Sequence, residues 1–312
     1  MNKSFMIVVL PDSQRYVEDG FREERLHCFE KQIKWIRDNR EKYNICFVTS
    51  MGDIVQHRNS ISERKAFFEC MSELNGIVPY GFCGGNHDML FGNRAEEVLK
   101  GRNKDACTES YEHTDVIALQ EKYLDVLRGE KWWLSDRSFG HSNAQTFSAL
   151  GRNFLALHLE YGPSDETMEW ASSIIKEHAE YPTFLTTHMF ITHEEEQGIT
   201  RRESRLSTYQ SNMVGEGDNA GIDIWNKLVI PNDNIHFVLC GHYVSDRYML
   251  LDTGSRKVAS LISDYEWDLP YYGNGWMRLL TVMPDEKKVR VQTYTPVFDE
   301  YRTVDNGDFY IC

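Results

Sequence analysis

The chain has 312 residues and a mass of 36.5 kDa, a length that suits one large domain or two ordinary ones. Hydrophobic residues make up 41% and charged residues 26% of the chain, a balance that excludes disordered and fibrous proteins. The formal net charge of -14 at pH 7 repels polyanions, so we expect no long nucleic acid and no membrane surface as a partner, and a small ligand instead.

The first third of the chain alternates apolar runs with helical patterns. Residues 5–10 form a continuous apolar, β-branched run, as in a strand that is buried on both faces. Over 21–42, apolar residues recur at intervals of three and four between charged residues, which predicts an amphipathic helix. Apolar runs at 45–48 and 77–83 flank a second helical pattern around Phe67. This order predicts a parallel sheet with right-handed crossovers.

The remaining elements fall into three groups. Residues 89–131 are mostly polar, with a short helical pattern near 115–128, and we interpret them as an insertion over the sheet edge. The apolar patterns that follow predict a hairpin over 146–159, a helix over 168–178, a strand at 184–187, a helix over 219–230 and a strand at 235–239. From about 245 to 295, strand-like segments are separated only by turns and should pair antiparallel. Residues 1–312 are therefore interpreted as a single domain.

Polar residues able to bind a metal open the loops after five of the predicted strands. They are Asp12 and Gln14, Asp53, the run Asn86-His87-Asp88, His188, and His242. Because ligands bind at the carboxyl ends of the strands in an open α/β sheet, we expect these loops to converge on one crevice. Glycine residues beside them let the backbone turn sharply enough to meet there.

The joint order of these motifs resembles the calcineurin-like metallophosphoesterase family. The resemblance spans about 12–244 and rests on Asp12, Gly52-Asp53, Gly85-Asn86-His87-Asp88, His188 and Gly241-His242. It implies an α/β fold of four layers, αββα, in which helices flank two mixed central sheets and 245–295 resembles the second sheet. It also implies an enzyme, a phosphoric ester hydrolase that acts on a small phosphomonoester or phosphodiester.

The resemblance implies two divalent metal ions and assigns their ligands. Asp12 would bind the first ion and Asp53 would bridge both ions, while Asn86, His188 and His242 would complete the second site. Such a pair lowers the pKa of a bound water, and the resulting hydroxide attacks phosphorus in line.

The resemblance also assigns the proton transfer. His87 would be the general acid that protonates the leaving alkoxide, and Asp88 would orient its ring.

Three of the site residues have a structural interpretation as well. A lone histidine such as His188 is commonly a hydrogen-bonded structural residue, and Asp12 and Asp53 could cap helices. Helix capping explains neither the histidine motifs nor their order along the chain.

Two positions depart from the family pattern, and both fall on the first metal. Gln14 stands where the family has a histidine, and Val244 stands at the second histidine of Gly-His-x-His. Because the first site is left oxygen-rich, we expect weakly bound Mn²⁺, Mg²⁺ or Ca²⁺ there, and Mn, Fe or Zn at the second site. A loop hydrogen bond explains Gln14 as well as ligation does, and Asp246 would be a substitute ligand only if its loop bulges.

The depleted first site supports a second hypothesis about function. In that hypothesis the hydrolase fold survives as a metal-binding or interaction protein that no longer makes a nucleophile. We favour the enzyme because the pair His87-Asp88 is intact.

Other polar and aromatic clusters have competing interpretations. Arg201, Arg202 and Arg205 could clamp a phosphate, but a solvated charge run is the better interpretation of arginines that follow several acids. The aromatic residues over 265–276 could stack on a base or sugar, or be buried beneath the second sheet. Three further histidines are interpreted as structural, with His193 the best outside candidate for the site: His158, His193 and His236.

The cysteines and the N-terminal segment bear on the compartment. Seven cysteines without a Cys-x-x-Cys pair argue against a disulfide framework or a zinc ribbon, and Cys46, Cys83 and Cys240 are interpreted as small buried hydrophobes. The apolar stretch 5–10 is too short for a membrane helix or a signal peptide. We therefore expect a cytoplasmic protein, although a processed exported protein would look the same. The sequence carries no signal for an oligomeric state.

Overall fold

Two seven-stranded sheets pack face to face, and helices cover their outer faces. The computed structural model describes residues 3–89, 110–193, 198–200, 219–304 and 306–312, with the backbone alone for 110–114. The first half of the chain contains β1 (Phe5–Leu10), α1 (Gln14–Val17), α2 (Arg22–Tyr43), β2 (Ile45–Ser50), α3 (Ile61–Ser72), β3 (Tyr80–Phe82), α4 (Ser110–Arg128), β4 (Trp133–Arg137), β5 (Ser142–Ala149) and β6 (Arg152–Leu159). The second half contains α5 (Asp165–Glu177), β7 (Thr183–Thr187), α6 (Gly221–Ile224), β8 (Ile235–Cys240), β9 (Tyr248–Asp252), β10 (Lys257–Ile262), β11 (Met277–Met283), β12 (Lys288–Thr295), β13 (Glu300–Tyr301) and β14 (Asp308–Ile311).

Each sheet mixes parallel and antiparallel pairs. The first sheet has the order β13-β12-β11-β1-β2-β3, and β14 also pairs with β12. In it β1, β2 and β3 are parallel, as the strand–helix–strand pattern predicts, and β11 runs antiparallel to β1. The second sheet has the order β4-β5-β6-β7-β8-β10-β9, in which β6, β7, β8 and β10 are parallel.

The two faces of strand β1 show how the layers are stacked. Met6, Val8 and Leu10 pack towards the helical layer that includes α2 and α3, while the alternate residues pack into the core between the sheets. Because side chains of a strand alternate between its two faces, a strand covered on both sides must be apolar throughout. A third core lies between the second sheet and α5 and α6. The predicted αββα sandwich is confirmed.

The C-terminal strands differ from the predicted single antiparallel region over 245–295. Strands β9 and β10 form a hairpin in the second sheet, while β11 and β12 form a hairpin in the first. In addition, β10 lies parallel to β8. The hairpins are local and visible in the pattern, but the loop between β10 and β11 crosses from one sheet to the other, which local patterns do not reveal.

Several predicted bounds also change. The third strand, predicted over 77–83, is β3 alone, because Pro79 has no N–H to donate to a ladder. The helix predicted over 219–230 becomes α6 followed by a π-helical turn, Trp225–Val229. Strands β4, β13 and β14 were not predicted. In the predicted insertion, residues 90–109 lie outside the described residues, and α4 packs Leu124 and Leu127 into the helical layer on the first sheet.

A polar layer crosses the core between the sheets. The ring of His158 hydrogen-bonds through Nε2 to Oγ1 of Thr49 at 2.9 Å, and Thr49 bonds Thr186 Oγ1 at 2.9 Å. Burial lowers the pKa of His158 to about 3, so the ring is neutral at pH 7. His158 is therefore structural, in agreement with the sequence interpretation.

We expect His158 to contribute to acid sensitivity. Its pKa is about 3 in the folded protein and near 6.5 in the unfolded chain, so between these values the unfolded chain binds the extra proton. The free energy of unfolding should fall as pH falls below 6.5, by about 1.4 kcal/mol per pH unit for this one group. Urea unfolding of His158→Gln between pH 4.5 and 7 should show a slope reduced by that amount. An unchanged slope would contradict this, and His178→Gln, at a half-buried position, is the control.

The buried cysteines lie in or beside the strands. Cys83 and Cys240 are fully buried and Cys46 is half-buried, and all three are free thiols. Burial raises the pKa of Cys240 to about 12, so the thiol stays protonated and unreactive.

The two edges of the sandwich, one where the parallel strands begin and one where they end, differ. At the edge where the parallel strands begin, a cavity of about 400 Å³ lies between the sheets and is lined by Phe184, Phe237 and Val289 among others. The opposite edge carries the loops that follow the parallel strands. In the parts of the chain that are described, no helix combines the length and the apolarity that a bilayer crossing requires.

Candidate metal centre

The loops after β1, β2, β3, β7 and β8 meet at one edge of the sandwich, as predicted. There Asp12, Asp53 and His188 each place a ligand-type atom within 4.8 Å of the others, and all three side chains are buried. Asp12 and Asp53 come from the first sheet and His188 comes from the second. Carboxylate oxygens and an imidazole nitrogen at this spacing suit a divalent cation.

Asn86 connects this cluster to His242. The Oδ1 atom of Asn86 lies 3.0 Å from Nε2 of His188 and 2.9 Å from Nδ1 of His242. The other nitrogen of His188, Nδ1, lies 2.9 Å from the carbonyl oxygen of Met51, to which it donates. Nε2 of His188 therefore faces both Asn86 and Oδ2 of Asp53, the latter at 3.3 Å. The residues predicted to hold the second ion are therefore linked to one another through Asn86 and His188.

The electrostatics of the cluster favour a positive charge beside His188. Burial is the largest influence and would lower the pKa of His188, but the charge and hydrogen bond of Asp53, together with the Met51 carbonyl and the charge of Asp88, raise it. Burial would likewise raise the pKa of Asp53, but His188 and His87 hold it below its usual range. A proton or a metal ion can supply this charge, so the residues present fit a cation.

The backbone fixes Asp53 in an unusual conformation. Its φ is 45°, and its Oδ1 accepts a hydrogen bond from the backbone N–H of His87 at 2.9 Å. A Cβ on Gly85 would lie 2.1 Å from the same oxygen, so only glycine allows this approach. The two loops after β2 and β3 are thereby held together.

The first-site residues present oxygen atoms. Oδ2 of Asp12 accepts a hydrogen bond from the backbone N–H of His242 at 3.0 Å, and its Oδ1 is buried without a hydrogen-bond partner. Nε2 of Gln14 donates to Glu266 at 2.7 Å, which leaves Oε1 of Gln14 buried and unpartnered. Val244 is 38% exposed, and Asp246 pairs with Nε of Arg302 at 3.5 Å. The carboxylate considered as a substitute ligand is thus in an ion pair with Arg302, while its Oδ2 accepts no hydrogen bond.

Gly241 makes the approach of Asp12 to the His242 loop feasible. A Cβ on Gly241 would lie 2.0 Å from Oδ1 of Asp12, so that carboxylate must move in Gly241→Ala. We expect Gly241→Ala to lose about 1–3 kcal/mol of stability and most of the thermal stabilisation that Mn²⁺ provides. Differential scanning calorimetry with and without Mn²⁺ measures both effects. In Gly129→Ala, the control, the added Cβ meets its nearest atom at 3.3 Å. Mn²⁺ stabilisation of wild-type size in Gly241→Ala would contradict the prediction.

The contacts of His87 and Asp88 differ from the role implied for Asp88. Nδ1 of His87 lies 2.8 Å from the carbonyl oxygen of Gln56, which fixes the ring. The Asp88 carboxylate instead accepts backbone N–H groups of Ile54 at 3.1 Å, Val55 at 3.1 Å and Gly85 at 2.6 Å. Asp88 is thus a positioning residue that joins two loops, because backbone donors already occupy its oxygens.

Sequence reasoning missed a buried residue that supports the His87 loop. The Glu63 carboxylate accepts backbone N–H groups of Gln56 at 2.9 Å and His57 at 2.8 Å, beside the carbonyl that holds His87. Oγ of Ser60 accepts the N–H of Glu63 at 3.1 Å, so Ser-x-x-Glu is visible in the sequence as a capping-box pattern. That pattern predicts a surface cap, whereas Glu63 is fully buried.

The other candidates do not belong to the cluster of Asp12, Asp53 and His188, or they lie outside the described residues. Arg201, Arg202 and Arg205 are outside them. In the aromatic loop, Tyr265 is buried and Trp267 is 54% exposed beside Arg15, so the loop is neither wholly buried nor wholly open. The ring of His193 contacts Tyr243, and His236 is exposed on β8 far from these loops.

Comparison with known proteins gives a match to one protein family. The sequence profile of the calcineurin-like phosphoesterases matches residues 5–246. The uncharacterized protein YvnB of Bacillus subtilis (strain 168) is 26% identical over 315 residues, which covers 98% of this chain and 21% of that protein. The chain therefore spans about a fifth of the length of this relative.

Two solved structures share the fold. A dimetal phosphatase from Danio rerio is 11% identical with a TM-score of 0.56, over 98% of each chain. A purple acid phosphatase from yellow lupin (Lupinus luteus) seeds is 10% identical with a TM-score of 0.53, over 99% of this chain and 54% of that one. At these identities the similarity concerns the fold alone.

Proposed function

The chain belongs to the calcineurin-like phosphoesterase family, and we propose that it hydrolyses a small phosphomonoester or phosphodiester with two divalent metal ions. The observation that carries the proposal is the convergence of Asp53, Asn86 and His188 at one buried point. We assign the second ion to Asn86, His188 and His242, the first ion to Asp12 and Gln14, and the bridging position to Asp53. Bound there, such ions would activate water and neutralise charge on the phosphoryl group.

The protein's own groups supply orientation and a proton. The carbonyl of Gln56 holds Nδ1 of His87, so Nε2 is the nitrogen left for proton transfer. His87 is half-buried, whereas Asp12, Asp53, Asn86 and His188 are buried, so His87 is the group of this set most open to a substrate. In the proposal Nε2 of His87 donates its proton to the leaving oxygen as the P–O bond breaks.

A second candidate function is metal binding without turnover. Gln14 and Val244, at the two positions where the family has histidine, favour it because an incomplete first site would leave water unactivated. The two candidates share a fold and a second metal site, and they differ in whether phosphoesters are consumed.

Metal content and turnover distinguish these functions. Purified protein is analysed for metals and assayed on 4-nitrophenyl phosphate and bis(4-nitrophenyl) phosphate with Mn²⁺, Mg²⁺, Zn²⁺ or Ca²⁺. We expect hydrolysis that requires an added divalent ion and stops when a chelator is added. The relative rates on the two esters show whether the protein prefers a monoester or a diester. One tightly bound ion with no turnover at millimolar Mn²⁺ would support the second candidate instead. Protein that binds no ion at all would contradict both.

A further inference from the structure

A buried carboxylate outside the recognised motifs lies next to the position where the first site lacks a histidine. Asp264 follows β10, which runs parallel to β8, so it lies at the same edge as Gly241 and His242. Its backbone N–H donates to Ser245 and its carbonyl accepts from Ser245, both at 3.0 Å. Because Ser245 directly follows Val244, Asp264 is paired with the loop from which the histidine is missing.

The side chain of Asp264 has an oxygen to spare. Asp264 is 1% exposed, and its Oδ1 accepts the backbone N–H of Glu266 at 3.0 Å. Its Oδ2 is buried without a hydrogen-bond partner. A buried carboxylate oxygen that lacks a partner carries a large desolvation cost, which a bound cation would remove.

Backbone contacts also place the loop of Asp264 beside the loop of Asp12. The backbone N–H of Ser263 donates to the carbonyl of Cys240 at 2.9 Å, which holds the end of β10 beside Gly241, and a Cβ on Gly241 would lie 2.0 Å from Oδ1 of Asp12. The loops that carry Asp264 and Asp12 are therefore neighbours.

Gln14 contributes a third oxygen from the opposite loop. Glu266 accepts both Nε2 of Gln14 at 2.7 Å and Nε of Arg15 at 3.2 Å, which fixes the side-chain amide with its nitrogen on the carboxylate. Oε1 of Gln14 is then left buried and without a hydrogen-bond partner, as are Oδ1 of Asp12 and Oδ2 of Asp264. These three oxygens are among the orphaned ones in the loops around the missing histidine, and Oδ2 of Asp246 is another.

We propose that Asp264 is a ligand of the first metal ion and that it replaces the histidine absent at Val244. Together with Asp12, Gln14 and the bridging Asp53, Asp264 gives the first site oxygen ligands only. This inference rests on the proposed function, in which the second ion is bound at the second site. Oxygen ligands without nitrogen select hard cations, so the first site takes Mg²⁺, Mn²⁺ or Ca²⁺ in preference to Zn²⁺.

The test measures Mn²⁺ binding and not activity. Equilibrium dialysis of the full chain should give two Mn²⁺ ions for wild type, with Ca²⁺ displacing the more weakly bound ion. Asp264→Asn keeps an acceptor for the N–H of Glu266. It should lower the affinity for the more weakly bound ion at least about tenfold, because even residues that only contact metal ligands cost about that much when they are replaced. The affinity for the other ion should not change. Asp268→Asn, in the same loop and paired with Arg302 at 2.8 Å, is the control and should bind like wild type.

Thermal unfolding adds an outcome that a merely structural role would not produce. In chelator Asp264→Asn should be at least as stable as wild type, because a buried carboxylate without a partner has been removed. In Mn²⁺ the order should reverse. Equal Mn²⁺ affinities, or an order that does not change with Mn²⁺, would overturn the role of Asp264 and leave the second site untouched. Absence of Mn²⁺ binding in wild type would overturn the proposed function as well.

Discussion

Replacing Asp53 by asparagine is expected to lower kcat/KM for phosphoester hydrolysis by about three orders of magnitude or more, since it removes charge from both proposed metal sites at once. Asparagine is a conservative choice here, because it tolerates the positive φ of 45° and retains an oxygen for the N–H of His87. The loss should therefore arise from the missing carboxylate charge. Assays on 4-nitrophenyl phosphate at saturating Mn²⁺, with metal analysis of the same samples, measure it.

A matched control separates this effect from the removal of a carboxylate in general. Asp38, on α2, has a side chain that is 55% exposed and pairs with Lys34, so Asp38→Asn should keep wild-type activity. Circular dichroism establishes that both variants are folded. Retention of more than a tenth of the activity and of both metal ions in Asp53→Asn would exclude the proposed mechanism.

Replacing His87 by alanine should have the second-largest effect, and its size should depend on the leaving group. A general acid contributes about 10²–10⁴-fold when the leaving alkoxide is a strong base. The 4-nitrophenolate group departs without a proton, so its ester should lose far less. The ratio of kcat on an alkyl phosphate to kcat on 4-nitrophenyl phosphate is the measurement, and it should fall in His87→Ala.

The control for this variant is His178→Ala. His178 is half-buried, and its Nδ1 bonds the carbonyl of Ile174 at 2.9 Å at the end of α5, away from the loops of the site. Its leaving-group ratio should match that of wild type. Equal losses on both esters in His87→Ala would show that His87 binds or positions the substrate and is not the acid.

The sequence predicts the parts of the fold that depend on local patterns. The apolar run of β1 indicates burial on both faces, and its alternate side chains do pack into two different cores. The pairing of β10 with β8 could not be predicted, because β9 lies between these two strands in the chain. The division of the C-terminal hairpins between the sheets has the same cause.

The candidate site shows a similar division. Residues that follow strands inside short motifs, such as Asp53 and His188, are visible from spacing and do lie together. Asp264 escaped notice because it follows a strand whose parallel neighbour was unknown. The hydrogen bonds of Asp88 could not be foreseen either, since they depend on backbone N–H groups of a loop more than thirty residues earlier.

The cluster takes residues from both sheets, and this has a mechanical consequence. Asp12 and Asp53 belong to loops of the first sheet, and His188 and His242 to loops of the second, so an ion shared among them would act as a clasp across the sandwich. At the other edge a cavity lies between the sheets. Removal of the ion should therefore loosen this edge of the sandwich first. Amide hydrogen exchange should become faster in the loops after β1 and β7, while the interiors of the strands stay protected.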